Sequence, residues 1–362
     1  MNESDTKYVR WFAPVVALLA LMLLCTLTIY GGKVSPDIDA DVEGRLCEVD
    51  NWLETGRTPS LSRGPLHLYF LRLDRFLFGD AHHFDNFFAA LFLFFYILLI
   101  ARLAGPAVAL GCGLATAVHP TFFKWAVLPS GFMPFYALLA LALWALVDHF
   151  KGEKNKVDGR FLVGVLALSL SMFVRFEGLF FLGAVFFWQF TLQRWRNLAA
   201  GIGVFVAVTL LIWATTYLSL PAFLRGATLF VGANTKMSLA MPGKFAAFLL
   251  DAFGAFPLIA GIATAFILLR KPSFRFWSLI YLVYFALVVA LHLLGRFQYD
   301  LDRYYLFLLF GFLPFFGAMA KSIAGEKRPR LATAFIVTVF ITCFVFYGLR
   351  TWSWLAGGAL WA

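Results

Sequence analysis

KYVRWFAPVVALLALMLLCTLTIYGG, residues 7–32, carries two cations at its start and then no charge through Gly32. A helix needs roughly 20 apolar residues to cross the hydrocarbon core of a bilayer, and this run supplies them. It has no small-x-small cleavage site, so it reads as an uncleaved anchor rather than a signal peptide. Cys25 follows two leucines, where a lipoprotein signal wants a small residue.

Runs of the same kind recur as far as residue 349. We place spans at 11–31, 84–103, 106–123, 128–148, 160–174, 177–193, 198–218, 245–269, 276–294, 304–320 and 331–349, eleven in all. The composition is 62% hydrophobic and 14% charged, against roughly 45–50% and 25% in soluble domains. The reading is an all-α polytopic membrane protein. It is a single transmembrane domain over residues 1–350, with a segment 351–362 too short to span alone and no room for a large soluble domain.

The net charge is +10, but the cations form no basic tail or stripe, which argues against nucleic acid as a partner. In a membrane protein they set orientation and meet anionic headgroups. Of Cys25, Cys47, Cys112 and Cys343, three lie in apolar runs and no pair has metal-ligand spacing, so a disulfide framework is not expected.

Orientation follows from the loops. Counted from an inner N-terminus, the inner set contains Lys7 and Arg10, Arg102, HFKGEKNKVDGR at 149–160, QRWRN at 193–197, RKPSFR at 270–275 and KSIAGEKRPR at 321–330. These are short and dense in Lys and Arg, as the positive-inside rule requires. The outer set then holds SPDIDADVEG at 35–44, FVRFEG at 173–178 and GRFQYDLDRYY at 295–305. The three polar clusters least like ordinary loops thus share one face.

Two amphipathic helices are expected in the first outer loop, residues 32–83. In DVEGRLCEVDNWLETG, 41–56, an apolar stripe runs Leu46, Val49, Leu53, with Arg45, Glu48 and Asp50 off it and Gly56 as C-cap. In GPLHLYFLRLDRFLFG, 64–79, the stripe is Leu66, Phe70, Leu73, Leu77, with Arg72 and Arg75 off it. Both are too short and too charged to span, so they should lie in the interface plane.

Each candidate residue has two accounts. Asp39 or Asp41 at the start of the first amphipathic helix is a plain cap, since acids gather at helix N-termini, or a catalytic carboxylate. Arg175 and Glu177 sit between two apolar runs. Ionisable groups at that depth are costly and mark function by default, although an ion pair locking a tight turn is the structural account. Arg303, with Tyr304 and Tyr305, is an interfacial anchor or a ligand contact. Lys124 and His119 can snorkel or meet a phosphate.

DVEGRLCEVDNWLETG resembles the first-loop motif of the GT-C membrane glycosyltransferases, in particular the protein-mannosyltransferase and aminoarabinose-transferase-like group, glycosyltransferase family 39. Asp41 takes the place of the catalytic Asp of that motif, and Val42 stands where the family has Glu. SRGPLHLYF at 62–70 is similar to the Lys-Pro-Pro-Leu-like motif, with Arg63 in the Lys position. RFEGLFFLG at 175–183 resembles the Arg-Pro-Glu-Gly turn, and RYYLFLLFGFLPF at 303–315 the Arg-Tyr-Leu-x-Pro late span. The four occur in family order between residues 11 and about 320. LPSGFMPFY at 128–136 lacks the acid that the family carries near the start of the fourth span.

The resemblance implies a GT-C bundle and a sugar donor on a polyprenyl phosphate. Arg63, Lys124, Arg175 and Arg303 become candidates for the donor phosphate, with Glu177, Tyr304 and His67 beside them as substrate contacts. Asp41, or Asp39 in its stead, would act as base on the acceptor hydroxyl, with inversion. The acceptor would be a lipid, glycan or protein at the outer face of a bacterial cytoplasmic membrane. Asp39 and Asp41 also suit Mg²⁺ or Mn²⁺, but many family members need no metal, and no cofactor is assigned. Two other classes compete: a transporter or lipid flippase, and a non-catalytic scaffold of this fold. The chain shows no internal repeat of the kind transporters often carry.

Overall fold

The computed structural model describes residues 3–31, 40–56, 64–151, 156–216, 255–293, most of 306–318, and 329–356. Thirteen helices have defined bounds among them: α1 Glu3–Gly31, α2 Ala40–Thr55, α3 Pro65–Phe78, α4 His83–Ala104, α5 Pro106–Ala117, α6 Pro120–Val127, α7 Phe132–Lys151, α8 Gly159–Val174, α9 Glu177–Thr191, α10 Trp195–Thr216, α11 Ala255–Leu268, α12 Pro272–Leu293 and α13 Pro329–Leu355. Residues 306–318 add helical turns, and no strand occurs among the described residues. The all-α reading stands, and helical residues fall within every expected span.

Phe12–Tyr30, His83–Ala104, Phe132–Lys151 and Trp195–Thr215 are each long and apolar enough to cross a bilayer. The expected third span is broken instead: α5 and α6 meet at a 63° bend. The bend falls at Val118-His119, just before Pro120, which disfavours the α conformation in the residue ahead of it. This is an integral membrane protein.

The chain packs as two compact units, one of residues 1–16, 96–124 and 233–362, the other of 17–95 and 125–232. In the first, Tyr96 donates its hydroxyl to Phe310 O (2.9 Å), Thr351 donates to Val118 O (2.7 Å), and the Tyr281 and Phe307 rings stack at 4.4 Å. In the second, α7 and α8 form a helical hairpin in which Gly164 gives Leu146 room. Asp158 caps α8 by accepting from Phe161 N (2.9 Å) and takes His149 Nε2 at 3.2 Å. Arg194 donates to His149 O (2.9 Å), which ties the α9–α10 turn to the same place.

The expected amphipathic helices form, as α2 and α3, with Pro65 in the first turn of α3 and glycines at both ends. Gly56 (φ 68°) and Gly79 (φ 74°) adopt the left-handed conformation, as the C-cap reading requires. The buried faces match the expected stripes in part: Leu46 and Val49 of α2 are buried, and Leu66 and Phe70 of α3 are packed. On α2 the buried face is Val42, Leu46, Val49 and Trp52, while Leu53 is exposed; Arg45, placed off the stripe, is buried. On α3 the buried residues include His67, Leu68, Leu71 and Asp74, while Leu73 and Leu77 are exposed. On α3 the side that packs against protein carries polar groups that have partners there: His67 meets Asp85, and Asp74 accepts Phe84 N.

Trp52 joins the two helices: Tyr69 meets it edge-on at 5.0 Å and the Arg72 guanidinium lies 4.2 Å from its ring centre. Residues of this class each contribute roughly 1.5–3 kcal/mol when fully buried. The exposed side of α3 carries Leu73, Leu77, Phe78 and Phe76 (76% exposed), the apolar side that a helix lying in the interface would turn to the acyl chains. A Phe76→Trp variant in vesicles is therefore expected to emit at short wavelength and to be quenched by brominated lipid. Water-like emission without quenching would show that α3 does not lie in the interface.

Candidate functional site

One end of the second unit gathers charged groups that the sequence scatters over 130 residues. The first turn of α2 begins this end, at Ala40 and Asp41. Arg45, one turn on, is 8% exposed. Its Nη1 donates to Ser130 O at 2.9 Å and approaches His67 Nδ1 at 3.0 Å. His67, on α3, is completely buried, and its Nε2 stands 3.5 Å from Asp85 Oδ2 in the first turn of α4. Asp85 is also completely buried, and its Oδ1 accepts the N–H of Gly131 at 3.3 Å.

Glycine at 131 is required twice over. Its φ is +77°, and a Cβ there would lie 2.9 Å from both Cγ and Nδ1 of His67 and 3.2 Å from Arg45 Nη1. Burial holds the His67 imidazole below its ordinary pKa; Arg45 and Arg175 push the same way, while Asp85 opposes them. These surroundings favour the neutral ring.

The second element is the turn between α8 and α9. Arg175 ends α8 in an extended conformation, and Glu177 opens α9. Arg175 Nη2 and Nε donate to Glu177 Oε1 at 2.7 and 3.1 Å, with side chains 9% and 13% exposed. The guanidinium lies 3.7 Å from the ring centre of Phe132, the first residue of α7. Gly64 is pressed against the carbonyl of Val174 and has φ +68°. That contact brings the segment following Arg63 against the residue before Arg175.

A third group lies at the α3–α4 corner. Asp74 is buried, accepts Phe84 N at 3.1 Å and meets His83 Nδ1 at 3.3 Å. Burial raises its carboxyl above the usual range. His82 pairs with Asp80 at 2.9 Å and stacks on His83 at 4.2 Å.

Of the expected site residues, His67, Arg175 and Glu177 come together here. Lys124 is half-buried on α6, in the first unit. Asp39, Arg63, Arg303 and Tyr304, and the side chain of Asp41, lie outside the described residues. Among the described residues, no group of three His, Cys, Asp or Glu side chains is arranged to hold a metal ion. Arg45 and Asp85 were missed by sequence reasoning. Arg45 looked like the polar side of an amphipathic helix, and an acid in the first turn of a helix looks like a dipole cap. The signal available was spacing: Arg45 is four residues from Asp41, hence on the same face of α2. At the LPSGFMPFY turn itself the Asp85 carboxylate, from α4, accepts Gly131 N.

Solved structures share this architecture. The chain matches ArnT from Cupriavidus metallidurans in the apo state with a TM-score of 0.56 and 16% identity, over 99% of this chain and 74% of that one. The same protein bound to undecaprenyl phosphate matches with a TM-score of 0.56. The chain has the GT-C fold. A second GT-C structure, the archaeal oligosaccharyltransferase AglB from Archaeoglobus fulgidus in complex with an inhibitory peptide and a dolichol-phosphate, gives 0.59 at 13% identity. There the match covers 94% of this chain and 56% of AglB, so this chain spans little more than half of that protein. No family model matches the chain, and no curated protein does.

Proposed function

We propose that this protein is an integral membrane glycosyltransferase. It moves a hexosyl or pentosyl group from a polyprenyl-phosphate donor to an acceptor at the outer face of a bacterial cytoplasmic membrane. The observation that carries the reading is the convergence of Arg45, His67, Asp85, Arg175 and Glu177 at the end of the unit where α2 begins with Asp41. The GT-C fold supports it, as does the binding of undecaprenyl phosphate by ArnT and of a dolichol-phosphate by AglB.

In this reading the acceptor hydroxyl attacks the anomeric carbon as Asp41 takes its proton. The bond from that carbon to the phosphate oxygen breaks, and polyprenyl phosphate leaves with the electron pair. Attack opposite the leaving group inverts the centre. Negative charge grows on the departing phosphate, so cations fixed there favour the transition state over the ground state. Arg175 is the candidate that joins the cluster described above, and Arg63, Lys124 and Arg303 are the others. Arginine suits a phosphate because its planar fork donates two hydrogen bonds in parallel. Glu177 would keep that fork aimed, and Tyr304 would line the sugar.

The test is transfer of label from polyprenyl-phosphate-linked sugars in membranes containing the protein. Asp41→Asn should lower turnover by about 10²-fold or more, within the usual range for a general base, while the protein still inserts and folds. Wild-type turnover in that variant would remove Asp41 from the reaction. A protein that moves lipid without transferring sugar would show flipping that Asp41→Asn leaves intact.

A further inference from the structure

Arg45, His67, Asp85 and the Ser130-Gly131 backbone form a closed ring of contacts. An arginine side chain only donates hydrogen bonds. His67 Nδ1, 3.0 Å from Arg45 Nη1, must then be the acceptor nitrogen, and the imidazole proton must sit on Nε2, toward Asp85. Asp85 returns to the starting point through Gly131 N, next to the Ser130 carbonyl that Arg45 also holds. Four pieces of chain are thereby locked together: α2, α3, the start of α4, and the turn that precedes α7. None of the three side chains is open to a substrate, since Arg45 is 8% exposed and the other two 0%.

Resting on the reading of Asp41 as the base, we propose that Arg45 is a positioning residue, held by a neutral His67 and by Ser130 O, that fixes the first turn of α2 and so sets where Asp41 stands against the reacting hydroxyl. The charged groups that face His67 are Arg45 from α2, Asp85 from α4 and Arg175 from the α8–α9 turn. Burial and the two guanidiniums favour the neutral ring and Asp85 opposes them, while the contact with Arg45 Nη1 requires Nδ1 to be the accepting nitrogen. A protonated Nδ1 would point an N–H at the N–H of Arg45, and the two would part. The lock therefore works only with the neutral ring. Val42 is buried in the apolar cluster that also holds Leu46, Val49 and Leu68, and the charge that holds this end of α2 comes from Arg45.

The experiment compares four variants of the full chain in nanodiscs: Arg45→Met, His67→Leu, His67→Asn and Asp41→Asn. Three readouts are taken: turnover at saturating polyprenyl-phosphate sugar, affinity for undecaprenyl phosphate as probe, and the thermal midpoint. A displacement of the base on the order of 1 Å costs about 10²-fold. Arg45→Met and His67→Leu should therefore lose about 10²-fold in kcat, with probe affinity within about threefold of wild type. His67→Asn places an oxygen near the former Nδ1, keeps an acceptor for Arg45, and should recover most of the loss. Two results overturn the proposal. One is undiminished kcat in folded Arg45→Met or His67→Leu. The other is a parallel fall of kcat, probe affinity and midpoint in which Asn does no better than Leu, the mark of a purely structural ring. If Asp41→Asn alone retains full turnover, it is the assignment of the base that fails, and the comparison shows this separately.

Discussion

Gly131→Val is expected to destabilise the second unit by about 2–5 kcal/mol and to abolish transfer. Two costs add. A left-handed conformation at a non-glycine residue costs roughly 1–2 kcal/mol, and Gly131 has φ +77°. Forcing added carbon into a packed site costs typically 1–3 kcal/mol more. The neighbours here cannot yield cheaply, because the Cβ would press on the His67 ring and on Arg45 Nη1, both already fixed by partners. The thermal midpoint should fall on the order of 10 °C. Gly64→Ala should behave alike, since its Cβ would strike the Val174 carbonyl, which is backbone and has no rotamer to escape to. Gly183 supplies the control: it is helical with nothing within 4 Å of its Cβ position, so Gly183→Ala should be neutral or stabilising by up to about 1 kcal/mol. A Gly131→Val protein with the midpoint of wild type would mean that the turn and His67 are not packed as described.

The glycines mark where the sequence could be read and where it could not. Spans were legible because the bilayer imposes a length of apolar chain that loops interrupt with charge. The Arg175–Glu177 turn was legible because charge inside apolar sequence is expensive. Helix faces were a different matter. On α3 the apolar stripe ends in Leu73 and Leu77, which are exposed, and the packed side holds His67 and Asp74, which periodicity gave no reason to single out. On α2, by contrast, Leu46 and Val49 of the apolar stripe are buried in the core. Arg45 was lost because a cation beside an apolar stripe reads as solvated, and its burial against His67 and Ser130 is a tertiary matter. Asp85 was lost because pairing it with Gly131 and His67 is a matter of tertiary contact across 46 and 18 residues of sequence. The bend between α5 and α6 had a local sign in Pro120, but hydropathy runs through it without a break.

Glu177→Ala is expected to cost about 3–5 kcal/mol, because removing one partner of a buried pair strands the other charge. Arg175 gives Glu177 Oε1 two hydrogen bonds and rests on Phe132. The aromatic contact, worth up to about 2 kcal/mol in a dry setting, does not replace a carboxylate. Replacing both partners by apolar residues of similar size is often neutral or stabilising, so Arg175→Met/Glu177→Leu should fold better than Glu177→Ala alone. This separates the two accounts of the pair. If it only locks the α8–α9 turn, the double variant should regain probe binding together with stability. If Arg175 holds the donor phosphate, the double variant should be stable and still bind undecaprenyl phosphate about tenfold to a hundredfold more weakly. That loss is the equivalent of one charge-assisted hydrogen bond, roughly 1.5–3 kcal/mol. Measuring the thermal midpoint and the dissociation constant for undecaprenyl phosphate on the same nanodisc samples decides between them. A stable double variant with wild-type affinity would make the Arg175–Glu177 pair structural, and the phosphate would then fall to Arg63, Lys124 or Arg303.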